Sequence, residues 1–274
     1  MINDITSDNL FKDGYCILKN VLDNKEIDNL KNTIRENLEK KNIQKYDYFN
    51  EDEKFWPYIA NEKIINYLSN LLNENVFFMD GGFSNYNTTS KDTDEHKISW
   101  HRDTDSAPKI KGVVPYCKEN NFYKVFTVMT YLNKDLDNTV SLIPKSHRVE
   151  YKKTLNNILR ILHWKTKNKK NISFIRKMIE KRISKKIIIQ TGDCLVFFVG
   201  LFHKPVAPQN SGSRKALITR YAPRSINSEN YINYILKNSS RTHYSEKKFL
   251  NFNQSLSFID YLKNDDSTLN EFSQ

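Results

Sequence analysis

Thr191-Gly192-Asp193-Cys194-Leu195-Val196-Phe197-Phe198-Val199-Gly200-Leu201-Phe202-His203 places a Gly-Asp turn in front of an apolar run that ends on a histidine. A short run of β-branched and aromatic residues between glycines reads as a buried strand rather than a helix. A lone histidine at the end of such a strand is more often a satisfied core residue than a ligand. Its weight depends on what the rest of the chain brings to it. The sequence continues through Lys204-Pro205-Val206-Ala207-Pro208-Gln209-Asn210-Ser211-Gly212-Ser213-Arg214 and runs on to Arg220 and Tyr221. Pro208 to Ser213 has the composition of a hairpin connection. This predicts that Arg214 lies on the strand next to that of His203.

A second stretch, Ser99-Trp100-His101-Arg102-Asp103, carries an imidazole and a carboxylate two positions apart. In an extended strand, residues i and i+2 share a face, so the two would project together as a two-point grip on a divalent metal. Asp105 has the same parity and is a rival ligand, whereas His96 has the opposite parity. An isolated His-x-Asp is weak evidence. Two histidines and one carboxylate with open coordination positions form the facial triad of non-haem Fe(II) oxygenases, and His101, Asp103 and His203 supply that set. Arg214 would add a permanent cation with a bidentate donor fork, a reach that suits a short dicarboxylate. His163 and His243 have no supporting neighbours and read as structural.

Short β-rich blocks recur around these two stretches, at Val76–Met79, Gly82–Tyr86, Tyr123–Leu132, Val140–Ile143, Lys186–Gln190, Cys194–Val199 and Ala216–Tyr221, with Tyr15–Leu18 ahead of them. Strands at this spacing suggest a sandwich or jelly roll. Ile5–Lys12 reads as a short helix broken at Gly14. Asp23 with Glu26 has the pattern of a capping box, and Ile27, Leu30, Ile34 and Leu38 follow at helical spacing, predicting a helix from Asn24 to about Lys41. Glu62–Leu72 is helical by the same periodicity. The fold class expected is α+β with a mainly-β core and N-terminal helices packed outside, in a single domain over residues 1–274 with a polar tail from about 226.

The chain has 274 residues with a net charge of +11. The charge is concentrated: residues 145–190 hold fifteen Lys or Arg against Glu150 and Glu180, so the remaining 228 residues are slightly acidic. The stretch from about 150 to 186 interrupts the strands and reads as a helical basic insertion, either a solvated face or a rim that attracts an anionic substrate. Few aromatics interleave with its charges and no nucleic-acid recognition motif is present, so no nucleic-acid partner is expected. No run of eighteen apolar residues exists, so no transmembrane segment is expected. Cys16, Cys117 and Cys194 are far apart and odd in number, which fits reduced thiols in the cytoplasm. Oligomeric state is not readable at this level.

Several motifs, in order from Leu10 to Arg224, resemble the phytanoyl-CoA dioxygenase family of Fe(II)- and 2-oxoglutarate-dependent oxygenases. Phe11-Lys12-Asp13-Gly14-Tyr15-Cys16-Ile17-Leu18-Lys19-Asn20-Val21-Leu22 is similar to its N-terminal opening. Trp100-His101-Arg102-Asp103 is similar to its metal motif. Leu142-Ile143-Pro144-Lys145-Ser146-His147-Arg148 is similar to its Ile-Pro-Gly-Ser-His-Arg stretch. His203, with Arg214 eleven residues on, has the family's spacing of distal ligand and co-substrate arginine. Asp137-Asn138 replaces the usual Asn-Gly, and Lys145 replaces the usual glycine.

The resemblance implies a double-stranded β-helix, the cupin-like jelly roll. His101, Asp103 and His203 would bind Fe(II), with 2-oxoglutarate chelating the metal and Arg214 pairing its far carboxylate. O2 would complete the set, and an aliphatic C–H of a small, anionic substrate would be hydroxylated with release of succinate and CO2. Asn85, Tyr86, Thr127 and Thr130 are candidates for the other co-substrate contacts, and Trp100 and Lys145 for substrate contacts. His147 would support the loop. The alternative is a catalytically inactive jelly-roll binding protein whose basic segment docks on an anionic partner.

Overall fold

In a computed structural model, residues 7–36, 45–46, 53–87, 100–103, 116–117, 122–123, 125–133, 138–148, 178–206 and 213–223 are described. Local signals set the helices. Helix α1 covers Ser7–Asp13. Gly14 follows at φ +91°, where an added Cβ would lie 2.4 Å from His147 Nδ1. Helix α2, Asn24–Ile34, starts on a complete capping box, with the Asp23 side chain accepting from the Glu26 amide and the Glu26 side chain accepting from the Asp23 amide. Each cap of this kind stabilises a helix by about 1 kcal/mol. Helix α3 is the single turn Trp56–Ile59. Helix α4, Glu62–Leu72, is capped by Asn61 and closed by Asn73 in the left-handed conformation. The continuation of α2 expected to Lys41 falls mostly on residues 37–44, outside the described set.

The strands are β1 (Tyr15–Leu18), β2 (Lys45–Tyr46), β3 (Val76–Asn87), β4 (Tyr116–Cys117), β5 (Phe122–Tyr123), β6 (Phe126–Tyr131), β7 (Thr139–Leu142), β8 (Lys185–Ile188), β9 (Cys194–Phe198), β10 (His203–Pro205) and β11 (Ser213–Pro223). Six of them form an antiparallel sheet in the order β1-β9-β6-β11-β3-β2. A second sheet has the order β10-β7-β8, and β4 pairs β5 separately. One apolar cluster fills the space between α2, α4 and one face of the large sheet, with Ile27, Leu30, Ile64, Leu68, Val128 and Val196 among its members. A second joins the other face to the small sheet through Met129, Tyr131, Leu195 and Phe197 from the first and Val140, Leu142 and Ile187 from the second. The chain is therefore mixed α and β, layered as helices, sheet and sheet.

Three expectations are corrected by the pairing. Val76–Met79 and Gly82–Tyr86 are one strand, because Gly81 and Gly82 stay in register opposite Thr219 and Ile218. Tyr123–Leu132 divides between two sheets, β5 beside β4 and β6 beside β9. Arg214 is not on the strand next to His203: β10 pairs with β7, whereas β11 pairs with β3 and β6 in the other sheet. The connection from β10 crosses between sheets rather than turning back as a hairpin, and the loop composition alone does not separate these two outcomes. Of the basic stretch, residues 178–183 are helical; residues 149–177 and the tail from 224 lie outside the described residues.

The Gly-Asp turn ahead of β9 is a structural joint. Gly192 sits at φ +87° with an added Cβ only 2.5 Å from the Leu22 carbonyl oxygen. The buried Asp193 carboxylate accepts from the Asn20 amide at 2.9 Å and from Lys19 Nζ at 2.6 Å. This ties the end of β1 to the start of β9.

At the turn after β7, Lys145 adopts φ 66°, the left-handed conformation that favours glycine. Its side chain is exposed and its amide donates to the Asp13 carbonyl at 2.8 Å. The turn keeps the backbone a glycine would give, at the cost of a lysine Cβ in a disfavoured region. Lys145→Gly is expected to raise stability by about 1 kcal/mol. That corresponds to a melting temperature about 2 °C higher.

His147 packs flat on Phe198, with ring centroids 5.0 Å apart, and Nε2 donates to the Phe11 carbonyl at 3.2 Å. Burial lowers its pKa from 6.5 to about 4, outweighing the bond to Phe11, and the nearby Arg148 lowers it further. The unfolded chain therefore binds the proton more readily. The contribution is fully present above pH 6.5 and is lost as pH falls toward 4. Between pH 6.5 and 5, denaturant titration should show a loss of about 1–2 kcal/mol from this residue. His147→Gln should flatten that slope.

Candidate metal centre

The two sequence stretches meet through a pair of backbone hydrogen bonds. The His101 amide donates to the His203 carbonyl at 3.1 Å, and the His203 amide returns the bond to the His101 carbonyl at 3.0 Å. His101 is thus an isolated antiparallel bridge rather than part of a strand, and Asp103 is held separately by its amide donating to the Val199 carbonyl at 3.1 Å. The strand-parity reading of His101 and Asp103 is corrected accordingly: the two project together because His101 is pinned to His203 at the start of β10 and Asp103 to Val199 just after β9. Asp105 and His96 lie outside the described residues.

Ligand atoms of His101, Asp103 and His203 lie within 4.8 Å of one another. Asp103 Oδ1 is 3.6 Å from His203 Nε2 and 4.0 Å from His101 Nε2. His203 Nδ1 is 3.0 Å from the Leu201 carbonyl oxygen, which only accepts, so Nδ1 carries the proton and Nε2 presents its lone pair to the centre. A ligating histidine held by its other nitrogen in this way is a recurring feature of metal sites. Burial lowers the His203 pKa to about 4; Asp103 opposes this and His101 adds to it. The ring is therefore neutral, as a metal ligand must be, at pH 7. Burial alone would raise the Asp103 pKa, but Arg220, then His203, the Thr127 hydroxyl and His101, together hold it below the ordinary carboxylate range. Two imidazoles and one carboxylate whose ligand atoms converge in this way fit a divalent metal ion.

The candidates on β6 separate by parity. The Thr127 hydroxyl donates to Asp103 Oδ2. Thr130, three residues on, faces the helix side, where its hydroxyl meets Cys194 Sγ at 2.9 Å; the structure does not bring it to the centre. Tyr86 is the register partner of Arg214 and Asn85 that of Lys215. Trp100 is buried, and its indole N–H donates to Glu180 Oε1 at 2.9 Å. Glu180 Oε2 pairs with Lys204 Nζ at 3.1 Å. Trp100, Ile143 and Phe202 form a small cluster that receives Ile179 and Ile183. The helix at 178–183 thus seats on the residues immediately before both histidines. Phe202 is fixed further by its amide donating to Ser146 Oγ at 2.9 Å.

Sequence reading missed Arg220, whose Nε lies 3.5 Å from Asp103 Oδ2. It also missed Glu180 and the Leu201 carbonyl. Arg220 had a signal, since it follows Arg214 by an even separation along one strand. Glu180 and Leu201 had none before the loops were placed.

Antiparallel sheets carrying a two-histidine, one-carboxylate centre define the class. The chain belongs to the phytanoyl-CoA dioxygenase family: the model of that family, Phytanoyl-CoA dioxygenase (PhyH), matches residues 10–216. No curated protein matches the chain. Solved structures share the fold at low identity. The non-heme alpha ketoglutarate dependent epimerase SnoN from nogalamycin biosynthesis is 13% identical at a TM-score of 0.52, covering 81% of this chain and 85% of that one. The carbocyclase SnoK of the same biosynthesis is 12% identical at 0.53, covering 78% and 82%. Apo HygX from Streptomyces hygroscopicus is 12% identical at 0.55, covering 81% and 88%.

Among the described residues, no helix is long and apolar enough to cross a membrane. The opposite placement of the two threonines gives a direct check. Thr130→Val should lower stability by about 1 kcal/mol and leave Mn(II) affinity, measured by calorimetric titration, unchanged. His101→Ala should abolish that binding.

Proposed function

We propose that this chain is an Fe(II)- and 2-oxoglutarate-dependent dioxygenase that hydroxylates an aliphatic C–H of a small anionic substrate. The convergence of His101, Asp103 and His203, with the His203 lone pair presented by the bond from Nδ1 to Leu201, carries this reading. Family membership supports it, as do related structures obtained with metal and co-substrate: SnoN in complex with Fe3+, alpha ketoglutarate and nogalamycin RO, and HygX with nickel and 2-oxoglutarate bound. When bound, iron with 2-oxoglutarate and O2 supplies the oxidation, in which substrate, O2 and 2-oxoglutarate give hydroxylated product, succinate and CO2. His101, Asp103 and His203 hold the metal. Arg214, eleven residues after His203, pairs the far carboxylate of the co-substrate, and Tyr86 and Asn85 stand at neighbouring register positions on β3. The two sheets are the halves of a jelly roll within one domain spanning 1–274.

The substrate's charge follows from the basic stretch. Residues 145–190 carry a large cationic excess, and their helical end at 178–183 seats on Trp100 and Phe202 beside the centre. An anionic group is drawn to such a rim, and Lys145 belongs to it. The buried free thiols Cys16 and Cys194 suit a reducing compartment, which we take to be the cytoplasm.

Anaerobic Fe(II) and 2-oxoglutarate should produce the weak visible charge-transfer band of this class, and a screen of anionic metabolites should release succinate. Arg214→Ala should raise the 2-oxoglutarate requirement at least tenfold with Mn(II) affinity unchanged. Absence of both band and metal binding would overturn the proposal, and an unchanged 2-oxoglutarate requirement would remove Arg214 from it.

A further inference from the structure

The two oxygens of Asp103 are treated differently. Oδ1 faces both imidazoles, at 3.6 Å from His203 Nε2 and 4.0 Å from His101 Nε2. Oδ2 points the other way, where it accepts from the Thr127 hydroxyl and lies 3.5 Å from Arg220 Nε. Thr127 and Arg220 are Cα partners across the β6–β11 ladder, so one rung of the large sheet delivers both donors. On the other side of β11 the register with β3 shifts just past Arg220, where Met79 of β3 is the extra residue, while the pairing with β6 runs through Arg220 unbroken.

We propose that Thr127 and Arg220 are positioning residues that reserve Oδ2 of Asp103, so that the carboxylate meets a divalent ion through Oδ1 alone. This rests on reading His101, Asp103 and His203 as the metal centre. A carboxylate binds metals with one oxygen or with both. An Asp103 free to turn about its terminal bond would bring both oxygens to the ion and fill a position that a two-point co-substrate needs. The paired donors remove that option. The Thr127 hydroxyl fixes the plane of the carboxylate by a directional bond to Oδ2. The guanidinium adds charge that keeps Oδ2 of the buried Asp103 engaged. The two act as a unit on one oxygen, which separates this role from one in which Arg220 touches the co-substrate directly.

The test compares Arg220→Met, Thr127→Val and the double variant with the wild type. Mn(II) affinity and 2-oxoglutarate affinity of the Mn(II)-loaded protein are measured by calorimetry, the Fe(II) charge-transfer band by spectroscopy, and folding by thermal melting. The expected signature is a split. Mn(II) binding survives in all three, whereas 2-oxoglutarate binding weakens by about 10–100-fold and the band fades. Thr127→Val and Arg220→Met give the same signature, the double variant is no worse than the stronger single, and Thr127→Ser restores wild-type behaviour. Crystals of Mn(II)-loaded Thr127→Val should show both Asp103 oxygens on the ion, against one in the wild type. Wild-type co-substrate affinity in the variants, an effect of Arg220→Met without one of Thr127→Val, or one-oxygen binding throughout would overturn the proposal while leaving the metal centre intact. A wild type that binds no Mn(II) would overturn both.

Discussion

Two backbone hydrogen bonds between His101 and His203 join the parts of the chain on which the centre depends. They link residues about a hundred positions apart with no ladder around them among the described residues, so their geometry rests on neighbours rather than on a continuous strand. Those neighbours are the Asp103 amide on Val199, the Phe202 amide on Ser146 and the pairing of β10 with β7. An isolated pair of such bonds contributes little net free energy, about 1 kcal/mol each. Its value lies in setting the separation of two imidazoles whose ring centroids stand 4.3 Å apart. Apolar packing of Trp100 and Phe202 with Ile143, Ile179 and Ile183 supplies the stability that the bonds themselves do not.

Polar groups around the centre divide the work in a consistent way. The Leu201 carbonyl settles which nitrogen of His203 bears the proton. Burial keeps that ring neutral, while Arg220 and Thr127 keep the neighbouring carboxylate ionised against the same burial. A medium that opposes charge thus holds one group neutral and, through two placed donors, the other charged. The asymmetry is what a mixed nitrogen and oxygen donor set for a divalent ion requires.

How much of this could be read from the sequence follows the range of each interaction. The capping box at Asp23 and Glu26, the periodicity of α4 and the apolar run of β9 are local, and the structure contains them where the pattern places them. The grouping of His101, Asp103 and His203 was legible because donor chemistry and spacing constrain it jointly. Sheet membership was not. Nothing in Pro205 to Ser213 distinguishes a return along the same sheet from a crossing to the other, since both need the same breakers and polar residues. Arg220 was passed over for a related reason: its even separation from Arg214 marks a shared face of one strand, but its relation to Asp103 appears only once β11 is aligned with β6. At Lys145 the family's glycine is missing, yet the left-handed backbone persists because the Asp13 carbonyl holds the Lys145 amide from outside the turn, while the Ser146 amide closes the turn on the Ile143 carbonyl.

Glu180, one of two acidic residues in the basic stretch, fastens its helical end to Trp100 and to Lys204 at once. Trp100 stands immediately before His101 and Lys204 immediately after His203, so a single carboxylate clasps the outer flanks of both halves of the bridge. The spacing of the two imidazoles is thereby coupled to the seating of the short helix at 178–183, and a shift of that helix would be felt at both histidines together.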